Sequence, residues 1–240
     1  MAPAPRFSPE EQERLILLAA VTAIEESSLL DFSMSAIAKL ASLSMGSVYK
    51  FVQCKEDVLI ALATKMYQER RRVFKQVLSL PLTTPERIIA ISLLDFSKVR
   101  MYSFDDQLES IVNTRAIMKR SSTRWLNSMI EGCQTCDGTF KSFLQAAADS
   151  GELISGERDI EEINLSSWAL AVGYFYTVRL HHNRSKEQEV IDEECLPALE
   201  PDNVHIRSLQ RLINTFDWQV KVSKEDITKT CECLVKHGLR

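Results

Sequence analysis

Glycine and proline are scarce in this chain, seven of each in 240 residues, and both fall mostly outside the stretches of regular hydrophobic spacing. That scarcity suits helices and disfavours the turn-rich barrels and sandwiches. No Gly-rich phosphate loop, H-E-x-x-H pair or nucleophile–base signature is present. The residues therefore point to no catalytic group, no metal site and no cofactor. An excess of positive charge is missing too. The formal net charge is −4, so any contact with nucleic acid must come from a local patch. The N-terminus MAPAPRFSPEEQE has no basic start leading into an apolar run, which argues against a secretory signal. The most apolar stretch, 163–178, is shorter than the ~20 residues of a bilayer span. These features predict a cytoplasmic protein with no membrane contact, whose six cysteines are reduced thiols.

What remains is helical periodicity. Ser8-Pro9-Glu10-Glu11 combines an N-cap, a proline at the first helical position and a capping box. Leu15, Leu18, Ala19, Thr22 and Ala23 follow on one side, and the helix is expected to end near Glu26. Ser33 opens a short second helix, with Met34, Ile37, Ala38 and Ala41 as its apolar stripe. After Ser42-Leu43, Ser44 caps a third helix running to about Phe51. Lys55 starts a long helix to about Leu78. Further helices are expected from Thr84-Pro85-Glu86 to about Val99, over 105–118, 122–132 and 138–149, from Asp159 to about His181, over 204–220, and from Ser223 to before Gly238. Residues 183–203 read as a loop. No strand pattern stands out.

The second and third helices form a helix-turn-helix, a motif whose second member lies in the major groove of DNA. The residues IAKLASLSMGSVYKFVQCKEDVL, 37–59, with Ile16 and Ala19 before them, closely resemble the TetR family of transcriptional repressors. The resemblance covers about residues 10–60. It departs at Ser42, where the family has a turn glycine, at Val52, the second of an aromatic pair, and at Cys54, a polar cap. It implies an all-α fold: an N-terminal three-helix bundle with the helix-turn-helix, 1–54, followed by a larger helical effector-binding and dimerisation domain, 55–240. It also implies double-stranded operator DNA as partner, a homodimer, and release by a small, mainly apolar effector. A helical small-molecule-binding protein without DNA-binding activity stays open as the alternative. An enzyme would need a polar catalytic cluster, which is not visible.

The residue chemistry agrees with DNA reading. Ser33, Ser35, Ser44 and Ser47 are short donors for phosphates or base edges. Met45 and Gly46 lie on the approach face, and Gly46 lets backbones come close. Tyr49 offers a hydroxyl and a ring, and Lys50 reaches phosphate or guanine. Lys55 adds charge to a positive helix end, a phosphate site. Arg6 on the N-terminal arm is a further minor-groove candidate. Charge gives mild support, with ten Lys+Arg and nine Asp+Glu in residues 1–75.

For the effector, the resemblance suggests an apolar and aromatic pocket. The candidates are Phe96, Arg100, Tyr102, Phe104, Trp125, Met129, Phe143, Trp168 and Tyr176. The helix over 163–178 is apolar nearly all round, so one side is expected against its own domain and the other, with 204–220, against a second subunit. Cys133 and Cys136 have the spacing of a metal or redox pair, but a zinc site wants about four ligands, so structural thiols are expected.

Overall fold

Side-chain caps set most helix starts in the computed structural model, which describes residues 7–154, 156–184 and 198–240. Arg6 lies outside them. Ser8 and Glu11 close a reciprocal box at the start of α1, Pro9–Glu25. Ser33 Oγ accepts from Ala36 N before α2, Met34–Leu40, and Ser44 Oγ accepts from Ser47 N before α3, Met45–Phe51. Each such cap contributes about 1 kcal/mol. Then come α4, Lys55–Leu78; α5, Thr84–Ser92; α6, Asp105–Val112; α7, Arg115–Arg120; α8, Thr123–Asp149; α9, Glu157–Arg184; α10, Val204–Ile213; and α11, Lys224–Lys236. No strand occurs among the described residues beyond one isolated bridge, Leu153 with Trp218. The fold is all-α, as expected, and no helix among them is long and apolar enough to cross a membrane.

Several boundaries differ from the sequence reading, each for a physical reason. The buried face of α1 is Ile16, Ala19, Ala20 and Ala23, while Leu18 points outward. The cap of α5 is Thr83, boxed with Glu86. Thr84 instead gives its N–H and hydroxyl to the carboxylate of Glu152, both at 2.6 Å. That helix stops at Ser92, because Asp95 receives Ser97 N on its carboxylate and starts a separate 3-10 turn at Phe96–Lys98. The expected helix 105–118 is two. Asn113 turns its amide back to the Glu109 carbonyl and Thr114 its hydroxyl to Ile111, while Thr114 is extended. Such side-chain bonds compete with the helix ladder. Conversely, 122–132 and 138–149 are one helix, continuous through Gly132 and Gly138. Each glycine costs about 1 kcal/mol of helix propensity, and both turns around them hold.

The expected helix over 204–220 ends at Ile213. Trp218 donates its indole N–H to the Ile213 carbonyl at 2.8 Å. Asn214 bonds both the N–H and the C=O of Val222. Phe216 and Trp218 are buried all the same, from a folded-back segment.

The turn between α2 and α3 carries the family departure at Ser42. Leu43 N reaches the Ala38 carbonyl and Ser42 N the Lys39 carbonyl, the paired bonds of a Schellman ending. That ending needs a left-handed residue after the cap, and Ser42 supplies it at φ 53°, the one positive-φ non-glycine residue among those described.

The chain divides into two compact units. The first comprises residues up to Glu69 together with Arg100–Gln134, and the second Arg70–Val99 with Thr135–Arg240. The first unit's core joins Ile16, Ala20, Ile37, Val48, Val52 and Leu59 to Tyr102, Phe104, Leu108, Trp125 and Met129. The second unit's core joins Val77, Ile89, Leu93 and Leu144 to Ile163, Ile206, Leu209, Ile213 and Leu234. In the second unit, the last residue, Arg240, donates to the carbonyls of Leu93 and Leu199.

Candidate nucleic-acid interface

Within the first unit, α3 is fixed from beneath and bare above. Val48 and Val52 are fully buried, and Ile37 and Ala38 hold α2 against the same core. The opposite face of α3 presents Ser44, Met45, Gly46, Tyr49 and Lys50 to solvent, with Tyr49 45 % exposed and Ser47 half-buried. Ser33 and Ser35 are exposed at the start of α2, their hydroxyls 3.0 Å apart. Ser44 and Ser47 form a matching hydroxyl pair at 3.0 Å. A Cβ on Gly46 would meet only Ser44 Oγ, at an ordinary 3.8 Å. The protein's own packing thus does not demand glycine there.

Lys55 is less free than its sequence position suggests. Its ammonium donates to the Leu30 carbonyl at 2.8 Å and sits 4.7 Å from the Phe32 ring centre. An ammonium has three donors, so it ties the loop before α2 to the first turn of α4 while keeping hydrogens to offer.

The segment between α3 and α4 is bound tightly to residues that look unrelated in sequence. Asp57 is fully buried. One carboxylate oxygen accepts from Gln53 N at 2.9 Å and the other from Ser122 N at 2.6 Å. The Trp125 indole donates to the Phe51 carbonyl at 2.8 Å. The Cys54 thiol donates to the Arg120 carbonyl, and burial, with the nearby Asp57 and Glu56 charges adding to it, pushes that thiol up to about 11. Arg120 pairs with Glu56 at 3.3 Å. Sequence reasoning missed Asp57, and it missed this use of Trp125. A carboxylate in the first turn of α4 was visible, but its partner lies 65 residues away.

The nine residues expected to line an effector pocket are divided between the two units. Tyr102, Phe104, Trp125 and Met129 belong to the core beneath α1–α4, with Tyr102 and Phe104 stacked at 5.3 Å. Arg100, in the same unit, donates to the carbonyls of Tyr102 and Ser103. Phe96 and Phe143 belong to the second unit: Phe96 meets Phe175 edge-on at 4.6 Å, and Phe143 lies 5.8 Å from the Arg87 guanidinium. Trp168 and Tyr176 are 64 % and 62 % exposed on the outer side of α9.

The second unit holds an aromatic cluster the sequence did not announce. His205 is buried, stacked on Tyr174 at 4.8 Å and close to Phe175. Its Nε2 is 3.1 Å from Ser92 Oγ, while Nδ1 has no hydrogen-bond partner. Burial lowers its pKa to about 4, so the ring is neutral near pH 7. Along the outer side of α9, Leu165, Trp168, Val172 and Tyr176 form an exposed apolar row. Cys133 and Cys136 lie on α8 and form no disulfide, and no group of three metal-ligating side chains occurs among the described residues.

No family model matches the chain, and no curated protein does either. Solved structures do. A TetR-family transcriptional regulator from Cytophaga hutchinsonii superposes with TM-score 0.58 at 16 % identity, over 89 % of this chain and 98 % of its own. The regulator FadR from Bacillus subtilis, in complex with stearoyl-CoA, gives 0.51 at 19 %, over 84 % and 96 %. The TetR-family regulator PfmR from Thermus thermophilus gives 0.50 at 11 %, over 83 % and 97 %. The likeness extends well past the helix-turn-helix to nearly the whole length of these proteins.

Proposed function

From this shared TetR-type fold, we propose that the chain is a one-component transcriptional regulator, a repressor that binds operator DNA as a homodimer and is released by a small, mainly apolar effector. The observation that carries the reading is α3. It is a short helix capped by Ser44, anchored through Val48 and Val52, with Met45, Gly46, Tyr49 and Lys50 left on its free face. Short hydroxyls, a glycine, a phenol and a lysine suit a groove lined by phosphates and base edges. Ser33, Ser35 and Lys55 stand as phosphate contacts beside it.

The exposed row on α9 supports the dimer. Soluble monomers rarely leave such an apolar stripe bare, and a two-fold pairing of α9 would cover it. A dimer places two copies of α3 on successive major grooves of a near-palindromic site. We assign the effector to the second unit, where Phe96, Tyr174, Phe175 and His205 cluster and His205 Nδ1 offers one unmet polar contact. An apolar ligand with one polar end suits that lining. An effector weakens DNA binding only by preferring one of two arrangements, and a preference of about 1–3 kcal/mol corresponds to roughly 5–150-fold.

A gel-shift titration against DNA upstream of the chain's own gene tests the reading. Wild-type protein is expected to retard it and Tyr49→Ala to lose most of that affinity while remaining dimeric. Equal binding by both overturns the assignment of α3, and a wild-type protein that binds no duplex favours the alternative, a helical ligand-binding protein without DNA-binding activity.

A further inference from the structure

Resting on that reading, we infer that the DNA-contacting surface extends beyond the helix-turn-helix to a basic ridge on α7 and the start of α8, formed by Arg115, Lys119 and Arg124 with Arg120 at its base, and that this ridge binds the phosphates flanking the groove. From Ser110 to Ile130 the chain contains no Asp or Glu, while it carries these four cations. All four are exposed. Arg120 is engaged with Glu56. Arg115, Lys119 and Arg124 have no acidic partner among the described residues, and Arg124 lies 5.2 Å from the Trp125 ring centre. In a chain of net charge −4, such a concentration of one sign stands out as a site for anions.

Its place in the first unit selects the anion. The ridge is fastened to the C-terminal end of α3 and the first turn of α4 by four bonds: Trp125 to Phe51, Cys54 to Arg120, Ser122 to Asp57 and Arg120 to Glu56. A seven-residue helix is about 10 Å long, and the major groove is about 12 Å wide. With the Ser44 end of α3 in the groove, its Phe51 end and whatever is bonded there stand at the phosphate wall. Guanidinium and ammonium groups at that wall meet phosphate oxygens without reading bases. The helix-turn-helix itself carries only two cations, Lys39 and Lys50, and the ridge adds positive charge from a segment well downstream in the chain.

The test uses a near-palindromic duplex selected by the wild-type protein from a random-sequence pool, once trimmed to its core and once extended at both ends. The triple variant Arg115→Ala/Lys119→Ala/Arg124→Ala is compared with wild type across a salt series, with circular dichroism to establish that it is folded. On the extended duplex the variant is expected to bind at least about tenfold more weakly, and its log–log salt slope to shrink by about 0.9 for every phosphate it no longer neutralises. On the trimmed duplex the two proteins should bind nearly alike, whereas Tyr49→Ala weakens both. A triple variant with wild-type affinity and slope on the extended duplex overturns the ridge while leaving α3 as the reader. A wild-type protein that selects no duplex overturns the DNA reading and the ridge together.

Discussion

Trp125 and Phe51 stand 74 residues apart in sequence, yet the indole of one donates at 2.8 Å to the carbonyl of the other, the last in α3. A helix end has carbonyls without internal partners, and here a buried aromatic supplies the donor. Trp125→Phe keeps most of the ring's volume and removes the N–H. Leaving that carbonyl unmet costs about 1–3 kcal/mol. The expected outcome is faster amide hydrogen exchange across 45–53 with little change in the second unit. Unchanged exchange there would mean the bond does not hold α3.

Asp57 should matter more than its neighbour Glu56, which meets Arg120 at a surface where ion pairs contribute little. Asp57 is buried and satisfies two backbone N–H groups. Asp57→Ala leaves both donors without their acceptor. A loss of roughly 3 kcal/mol is expected from chemical denaturation, against less than about 1 kcal/mol for Glu56→Ala.

Ser42 carries a conformational cost that glycine would not. At φ 53° an L-residue is strained by about 1–2 kcal/mol, and glycine's extra unfolded-state freedom returns about 0.5–1 kcal/mol of that. Ser42→Gly is therefore expected to stabilise by about 0.5–1 kcal/mol, a rise of about 2 °C in Tm. Ser42→Val, with a branched side chain, should lower Tm in the same thermal scan.

His205 sets an acid limit on the second unit. Its folded pKa is lowered by burial to about 4 from 6.5, so the unfolded chain binds the proton more readily. Stability is then full above the unfolded value and falls as pH drops from about 6.5 toward 4. Between pH 7 and pH 5 the loss is on the order of 2 kcal/mol. Denaturation midpoints at the two values should show it, and His205→Gln, which cannot charge, should flatten the difference.

The outward row on α9 makes a separate prediction. Trp168 is 64 % exposed, so Trp168→Arg should leave the helical content intact while placing charge in the proposed two-fold contact. Sedimentation at micromolar concentration is expected to find wild-type dimer and variant monomer. A wild-type monomer would remove the basis for paired recognition helices.

The parts of the fold legible in sequence are those decided locally. Ser8, Ser33, Ser44 and Ser223 each bond an N–H three residues on, and the residues that make those bonds lie close together in the chain. The bounds of α4 follow from Lys55 and the end of its apolar pattern near Leu78. Where the reading failed, a side chain competed with the backbone or a distant group intervened. Asn113 and Thr114 divide α6 from α7 by turning back on their own helix. Trp218 ends α10 although apolar residues continue at helical spacing to Val220. Packing roles of the aromatic residues were the least legible feature. Aromatic residues over 96–143 look alike in sequence whether they line a cavity or fill a core, and Tyr102, Phe104, Trp125 and Met129 fill one.

Synthesis of the chain from its N-terminus meets a delay built into the first unit. The helices up to α4 emerge early, but Ser122 and Trp125, which hold Asp57 and the Phe51 carbonyl, come 65 and 74 residues later. At about 5–20 residues per second, that interval is roughly 4–15 seconds. During it α3 exists without its clamp, Asp57 is a carboxylate lacking one of its donors, and the apolar undersides of α1 and α4 await Leu108 and Met129. The nascent helix-turn-helix thus leaves apolar surface exposed at the ribosome, and its packing is completed only when residues 122–125 have been translated.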